Sequence, residues 1–291
     1  MAISCWPLEW FSMWLADESR GNRVDVKRLP NDVKYDAEIS MKRRLATRTK
    51  GILEISGKMV SFLHRTARDW ARESRVSDMI SASSNCDIDL YMMLAEAEAL
   101  GFSYPKKALD YSHDSMWEAI YKTLWYASHV QSQGQSVRQL IELLDYFDQQ
   151  VLQTWLVAQQ TWPAPLKLKS DQHWAEKQSR TGKGRCNTFL GITIQLAILP
   201  YVETKIRENK ETRRQVTSKE WVGLLENATT GFLSFMSPDF RPNDGLPDIP
   251  AEKREAMLLF LHSQGFGRWG ESIGSPLFRS VSQRLFSRRS R

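Results

Sequence analysis

Apolar residues recur every three or four positions through most of this chain, the spacing that gathers them on one side of a helix. Residues 88–100 carry such a stripe and are expected to end at Gly101, an ordinary residue just past a helix C-terminus. Ser115 with Glu118 and Ser136 with Gln139 are capping-box pairs, each offering a hydroxyl to free amides of a first turn. The first pair precedes Trp117, Ile120, Tyr121 and Leu124. The second precedes Leu140, Leu143, Leu144, Phe147, Val151 and Trp155, and Pro163 and Pro165 close that segment. Thr217 with Glu220 opens a further helix, and residues 251–264 form a last one between Pro250 and Gly265. Residues 189–206 read as a buried helix bent at Pro200, although Ile192, Thr193 and Ile194 also allow a strand.

Two stretches near the N-terminus matter more for function. Trp6, Trp10 and Trp14 stand four apart with Phe11 and Leu15 beside them, which predicts a short aromatic-faced helix over residues 5–15. That face either packs on the core or docks on a neighbouring subunit. From 52 to 70 the apolar positions Ile52, Ile55, Met59, Leu63, Ala67 and Trp70 predict an amphipathic helix. Gly57 is its weak point, costing about 1 kcal/mol relative to Ala. Residues 18–36 and 237–250 read as loop, and no alternating strand pattern stands out. The expected fold class is all-α, with few or no strands. Four segments are expected: an aromatic arm and basic helical segment (1–80), an acidic helical core (81–165), a basic loop with further helices (166–240), and a linker, terminal helix and arginine-rich tail (241–291).

Charge changes this picture. Between residues 42 and 75 ten basic side chains face only Glu54, Asp69 and Glu73, a local balance of +7, while the whole chain is +6. On the predicted helix Arg65, Arg68, Arg72 and Arg75 fall opposite the apolar side. Residues 42–50 read as a flexible or helix-terminal basic arm. Residues 86–165 carry ten acids against four bases, a balance of −6, so they are a ready intramolecular partner for the arginines. A second basic stretch runs from Lys177, with Trp174 beside it, into the glycine-rich loop 180–187, which carries Arg180, Lys183 and Arg185.

Candidate chemistry narrows the functional classes. Lys183 in RTGKGRCN is followed by Gly184, not Ser or Thr, and no strand precedes it, so a nucleotide-hydrolysing phosphate loop is not indicated. Cys5, Cys86 and Cys186 are far apart and odd in number, which argues against a disulfide framework or a structural zinc site. Cys186 has no histidine at a known catalytic spacing, and Asp87 and Asp89 are explained as helix caps as readily as metal ligands. No cofactor, metal or catalytic group is expected. The N-terminus lacks a basic signal-peptide start, and the longest apolar run, 189–200, is far short of the ~20 residues that span a bilayer. A cytoplasmic or nuclear protein is expected.

Several cations held against phosphates release condensed counterions, and guanidinium forks suit phosphate oxygens. The leading expectation is therefore a non-enzymatic nucleic-acid-binding protein, RNA or DNA, suited to be a structural subunit of a nucleoprotein assembly. Its backbone contacts would be Lys42, Arg43, Arg44, Arg48, Lys50, Arg65, Arg68, Arg72, Arg75, Lys177, Arg180, Lys183 and Arg185, with Trp6, Trp10 and Trp14 between subunits. A helical protein–protein adaptor is the alternative, and a peripheral membrane or matrix-like protein on anionic lipid is the third.

Overall fold

The computed structural model describes residues 8–19, 33–83, 89–102, 111–131, 135–163, 168, 172–177, 188–208, 224, 227–228 and 249–264. Among them the chain is predominantly α-helical, with one small antiparallel sheet. In chain order the elements are β1 (Leu8–Glu9), α1 (Trp10–Ser19), α2 (Val33–Thr49), β2 (Leu53–Ser56), β3 (Met59–Phe62), α3 (Arg65–Ala71), α4 (Ser74–Ser83), α5 (Leu90–Phe102), α6 (His113–Ser128), α7 (Gln135–Ala158), α8 (Phe189–Gln195), α9 (Leu199–Glu208) and α10 (Ala251–Ser263).

Helix α5 is the hub. Ala95, Ala97 and Ala99 are fully buried, and the helix is apolar almost all round, as one packed on several sides must be. One side joins the larger core with α6, α7, α8, α9 and α10. The other, through Ala97, Met93 and Leu100, joins a second cluster built from α1 and α2. Gly101 is the fourth buried small residue of this helix and not its terminator, because α5 runs on to Phe102. A Cβ at Gly101 would lie 3.4 Å from Leu15 Cδ1, so the glycine lets α1 lie close against α5.

In the larger core, Trp117, Trp155 and Trp174 are fully buried and meet edge-on or tilted at 5.7–6.4 Å between ring centroids. Their polar edges are mostly satisfied: Trp117 Nε1 donates to His113 Nε2 at 3.1 Å, and Trp174 Nε1 to Asp148 Oδ1 at 2.8 Å. Helix α6 starts at His113 under an Ser112 cap, whose Oγ accepts from Ser115 N at 3.1 Å, three residues before the expected start. Helix α7 likewise already includes Ser136. Asp89 caps α5, its Oδ1 accepting from Tyr91 N and Met92 N.

The apolar stretch 189–206 is two helices, and the break is not at Pro200, which sits harmlessly in the first turn of α9. It falls at Ala197, whose φ of +51° is left-handed. Ala197 N donates to Ile194 O and Ile198 N to Thr193 O, the paired bonds of a Schellman stop. No strand forms there.

The largest departure from expectation is at 52–62, where a hairpin replaces the first half of the predicted amphipathic helix. Gly57 (φ +60°) and Lys58 make a two-residue turn, with Ser56 paired to Met59 and Leu53 to Phe62. A positive φ at the first turn position suits the twist of a tight hairpin and is open to glycine. Leu53 and Ile55 lean on the second cluster while Glu54 and Ser56 face water, a period of two that the three- and four-residue spacing of Ile52, Ile55 and Met59 had masked. Strand β1 joins as a short third strand, Leu8 opposite Val60, and Trp10 N donates to Lys58 O. The aromatic helix accordingly starts at Trp10 and not at residue 5.

Candidate nucleic-acid interface

The basic segment folds into three unlike pieces. Of the two expected forms of residues 42–49, a flexible or a helix-terminal basic arm, the structure has the second: they are the C-terminal half of α2, whose inner side carries Ala37, Met41 and Leu45. Arg44 and Arg48 flank that inner side and reach α1. Arg44 binds Asp17 at 2.8 Å and Glu18 at 2.7 Å, and Arg48 binds Asp17 at 2.8 Å. Burial raises the Asp17 pKa, but hydrogen bonds from Arg48 and Arg44 outweigh it and hold the carboxyl below its ordinary value. These two arginines, expected on phosphate, therefore brace α1 against α2. Lys42 pairs one turn back with Glu38 at 2.7 Å, and Arg43 points outward from α2. Lys50 follows at the end of α2 with a left-handed φ of +53°.

The hairpin is the second piece and presents exposed Lys58 at its tip, a cation outside the expected set. The third is α3 with α4. His64 caps α3, its Nδ1 accepting from Thr66 N. No residue of α3 is buried: Arg65 is exposed and Arg68 half-exposed, and Arg72, which caps its C-terminus, is exposed. Asp69 lies 3.5 Å from Arg65 Nε and 3.3 Å from Arg68 Nε, in contacts open to water and worth little. Arg75 on α4 is exposed, and α4 buries Val76 while Met79 stands in water. Trp70, expected on the core side, is 48% exposed, and Leu63 is 59% exposed. The reason is the hairpin: with 52–62 extended, Leu63 and Trp70 no longer continue the side that Ile55 begins.

The acidic middle region does not neutralise these arginines among the described residues. Its acids are held elsewhere: Glu98 by Lys122 at 2.7 Å, and Asp145 by Lys205 at 2.7 Å and by Tyr201 Oη at 2.9 Å. Asp148 accepts from Trp174 and lies 3.2 Å from His173 Nε2. Burial pulls the Lys122 ammonium pKa down, yet Glu98 and Glu9 outweigh it and the net shift is upward. Lys253, in the first turn of α10, donates to Ser128 O at the end of α6, where a cation meets free carbonyls.

Of the remaining expected residues, Lys177 ends a short 3₁₀ turn, and Arg180, Lys183, Arg185 and Trp6 lie outside the described residues. Trp10 and Trp14 are buried within the chain, with Phe11 stacked on Trp14 at 5.8 Å. Trp174, beside the second basic stretch, is fully buried and offers no face for a base. Sequence reasoning missed the exposure of Trp70. The signal that could have found it is Gly57-Lys58 between Leu53/Ile55 and Val60/Phe62, a hairpin pattern. Among the described residues no three His, Cys, Asp or Glu side chains gather as a metal ion would need, and no helix is long and apolar enough to cross a membrane. Comparison with protein-family models, with curated proteins and with solved structures finds no match.

Proposed function

We propose that this chain is a non-enzymatic nucleic-acid-binding protein that contacts the phosphate backbone and serves as a structural subunit of a nucleoprotein assembly. One observation carries the reading: α3 and α4 hold Arg65, Arg68, Arg72 and Arg75 on the surface beside a half-exposed Trp70. Phosphate can displace Asp69 from Arg65 and Arg68, because exposed ion pairs are worth about 0–1 kcal/mol. Arg43, Lys50 and Lys58 are exposed and add cations at the neighbouring α2 terminus and hairpin tip. An exposed indole offers a face on which a base can stack. Arg44 and Arg48 are left out of the contact set because Asp17 and Glu18 hold them.

The test is fluorescence anisotropy of a labelled oligonucleotide across a salt series. Wild type should weaken steeply with salt. The Arg65/Arg68/Arg72 triple alanine should weaken binding to all sequences alike and lower the logarithmic salt slope by about 2–3, near one unit per phosphate contact. Affinity independent of salt, or unchanged in the triple variant, removes the proposal. Because α3 buries nothing, the triple variant should fold.

A second reading has its own observation. Leu63, Trp70 and Met79 are all more than 45% exposed among arginines, and Trp, Met and Arg are the residues enriched at protein interfaces. A protein partner captured through this surface after nuclease treatment, and lost in Trp70→Ala, favours the adaptor.

A further inference from the structure

Far from the arginine surface, the contact between α6 and α10 brings two titratable nitrogens to neighbouring carbonyls. Helix α6 ends at Ser128, with His129 as its C-cap. The last carbonyls of a helix have no partner within it, and here side chains take them. His129 Nδ1 lies 2.9 Å from Trp125 O, and Ser128 Oγ donates to the same oxygen at 2.7 Å. A carbonyl only accepts, so Nδ1 carries the proton of the neutral ring and Nε2 is the atom left to take one. The ring rests against Trp125 and Tyr91, at 4.1 and 5.1 Å between centroids. Lys253 Nζ donates to the next carbonyl along, Ser128 O.

Lys253 occupies the first turn of α10, where a cation opposes the dipole of its own helix. It is half-buried and has no acidic partner among the described residues, and burial pulls its pKa below the ordinary value. Burial also lowers the His129 pKa; the Trp125 carbonyl opposes this and the Lys253 charge adds to it. The other titratable groups on the elements packed here are Asp89 and Tyr91 on α5, Tyr126 on α6, and Glu252, Arg254 and Glu255 beside Lys253 on α10. Asp89 is occupied, its Oδ1 by Tyr91 N and Met92 N and its Oδ2 by Gln131 N at 2.6 Å. Among the described residues Lys253 is the charged group that acts on the ring.

We propose that Lys253 and His129 form a pH-sensitive latch between the first turn of α10 and the end of α6, closed while His129 is neutral and loosened when it is protonated. A proton binds better to the form in which Lys253 has left the ring, so acid shifts the population toward that form. The folded His129 pKa lies below the ordinary 6.5, so the latch is fully present above that pH and weakens as pH falls toward the folded value. The movement is local. Ile249 and Met257 are buried at 3% and 0% exposure on either side, whereas Ala251 and Glu252 are exposed, and Lys253 tethers the turn between.

The experiment is native-state hydrogen exchange at amides 254–258 of the full chain, from about pH 8 to about pH 5 and corrected for intrinsic rates, with an NMR titration of the His129 ring. Wild type should lose protection at these amides with acid, while the middle of α7 keeps its own. His129→Gln should abolish the loss. Lys253→Gln, which keeps a donor and removes the charge, should abolish it too and move the His129 titration upward. His262 lies on the same helix, and His262→Gln should leave the loss in place. Protection in wild type that ignores pH overturns the proposal. So does a loss that survives His129→Gln, or a His129 titration unmoved by Lys253→Gln. No residue of α3 or α4 takes part, so the oligonucleotide result stands or falls separately.

Discussion

Trp155 and Trp70 are the same side chain in two regions that use it in opposite ways. Trp155 is fully buried on α7, with Trp117 at 5.7 Å and Trp162 at 5.2 Å between ring centroids. Trp70 is 48% exposed on a seven-residue helix that buries nothing. The charges repeat the contrast. In the larger core Glu98 and Lys122 are 12% and 7% exposed and pair across two helices, whereas Arg65 and Asp69 are 83% and 53% exposed and pair within one turn. One region spends its rings and charges on packing, and the other leaves them to the solvent. Side chains that contribute little to stability are free to contribute to binding, which is why α3–α4 is the functional candidate.

The sharpest way to break this contrast is to truncate both rings. Trp155→Ala should lose about 3–5 kcal/mol in urea unfolding, enough to unfold a marginal domain. Trp70→Ala should stay within about 0.5 kcal/mol while weakening oligonucleotide binding. Equal losses would show that α3 is part of the core.

The buried pair comes next. Lys122→Ala leaves Glu98 uncompensated and should cost about 3–5 kcal/mol. Lys122→Met with Glu98→Gln should recover much of that, and Arg65→Ala should cost under about 1 kcal/mol. A double variant as unstable as the single one would mean that the pair is worth more than its desolvation.

A smaller effect is expected at the α1–α2 ion pair, at Asp17. Its folded pKa lies below the ordinary 3.8, so its contribution is present above that pH and is lost as pH falls through the lower folded value. Asp17→Asn should cost about 1 kcal/mol at neutral pH and flatten the decline of stability below pH 3.8. An acid-unfolding profile parallel to wild type would remove Asp17 from that role.

The smallest change is a gain. Ala197→Gly relieves a left-handed alanine at the Schellman stop between α8 and α9 and should raise stability by about 0.5–1 kcal/mol, read as a higher urea midpoint. A loss would show that the methyl group of Ala197, which is 4% exposed, matters more for packing than its φ costs.

Much of the larger core was legible from periodicity, because helix-forming stripes of Leu, Phe and Trp on α5, α6, α7 and α10 are long and unambiguous. The helical class and the burial of Trp117, Leu140, Phe147 and Trp155 follow from 3.6-residue geometry alone. The site was less legible. Its arginines are evident as composition, but 52–62 satisfies two periods at once, and the left-handed Gly57 with pairing to β1 chose the hairpin. Whether an arginine is spoken for is also a matter of distance in space: Asp17 and Glu18 lie 26–31 positions from Arg44 and Arg48 along the chain, yet sit at 2.7–2.8 Å. Sequence alone determined the helical class and where the cations are concentrated, because both follow from local spacing and counting. Only the tertiary structure decided which cations are bound within the chain and which face water, because an ion pair depends on where two helices cross, and no local pattern encodes that crossing.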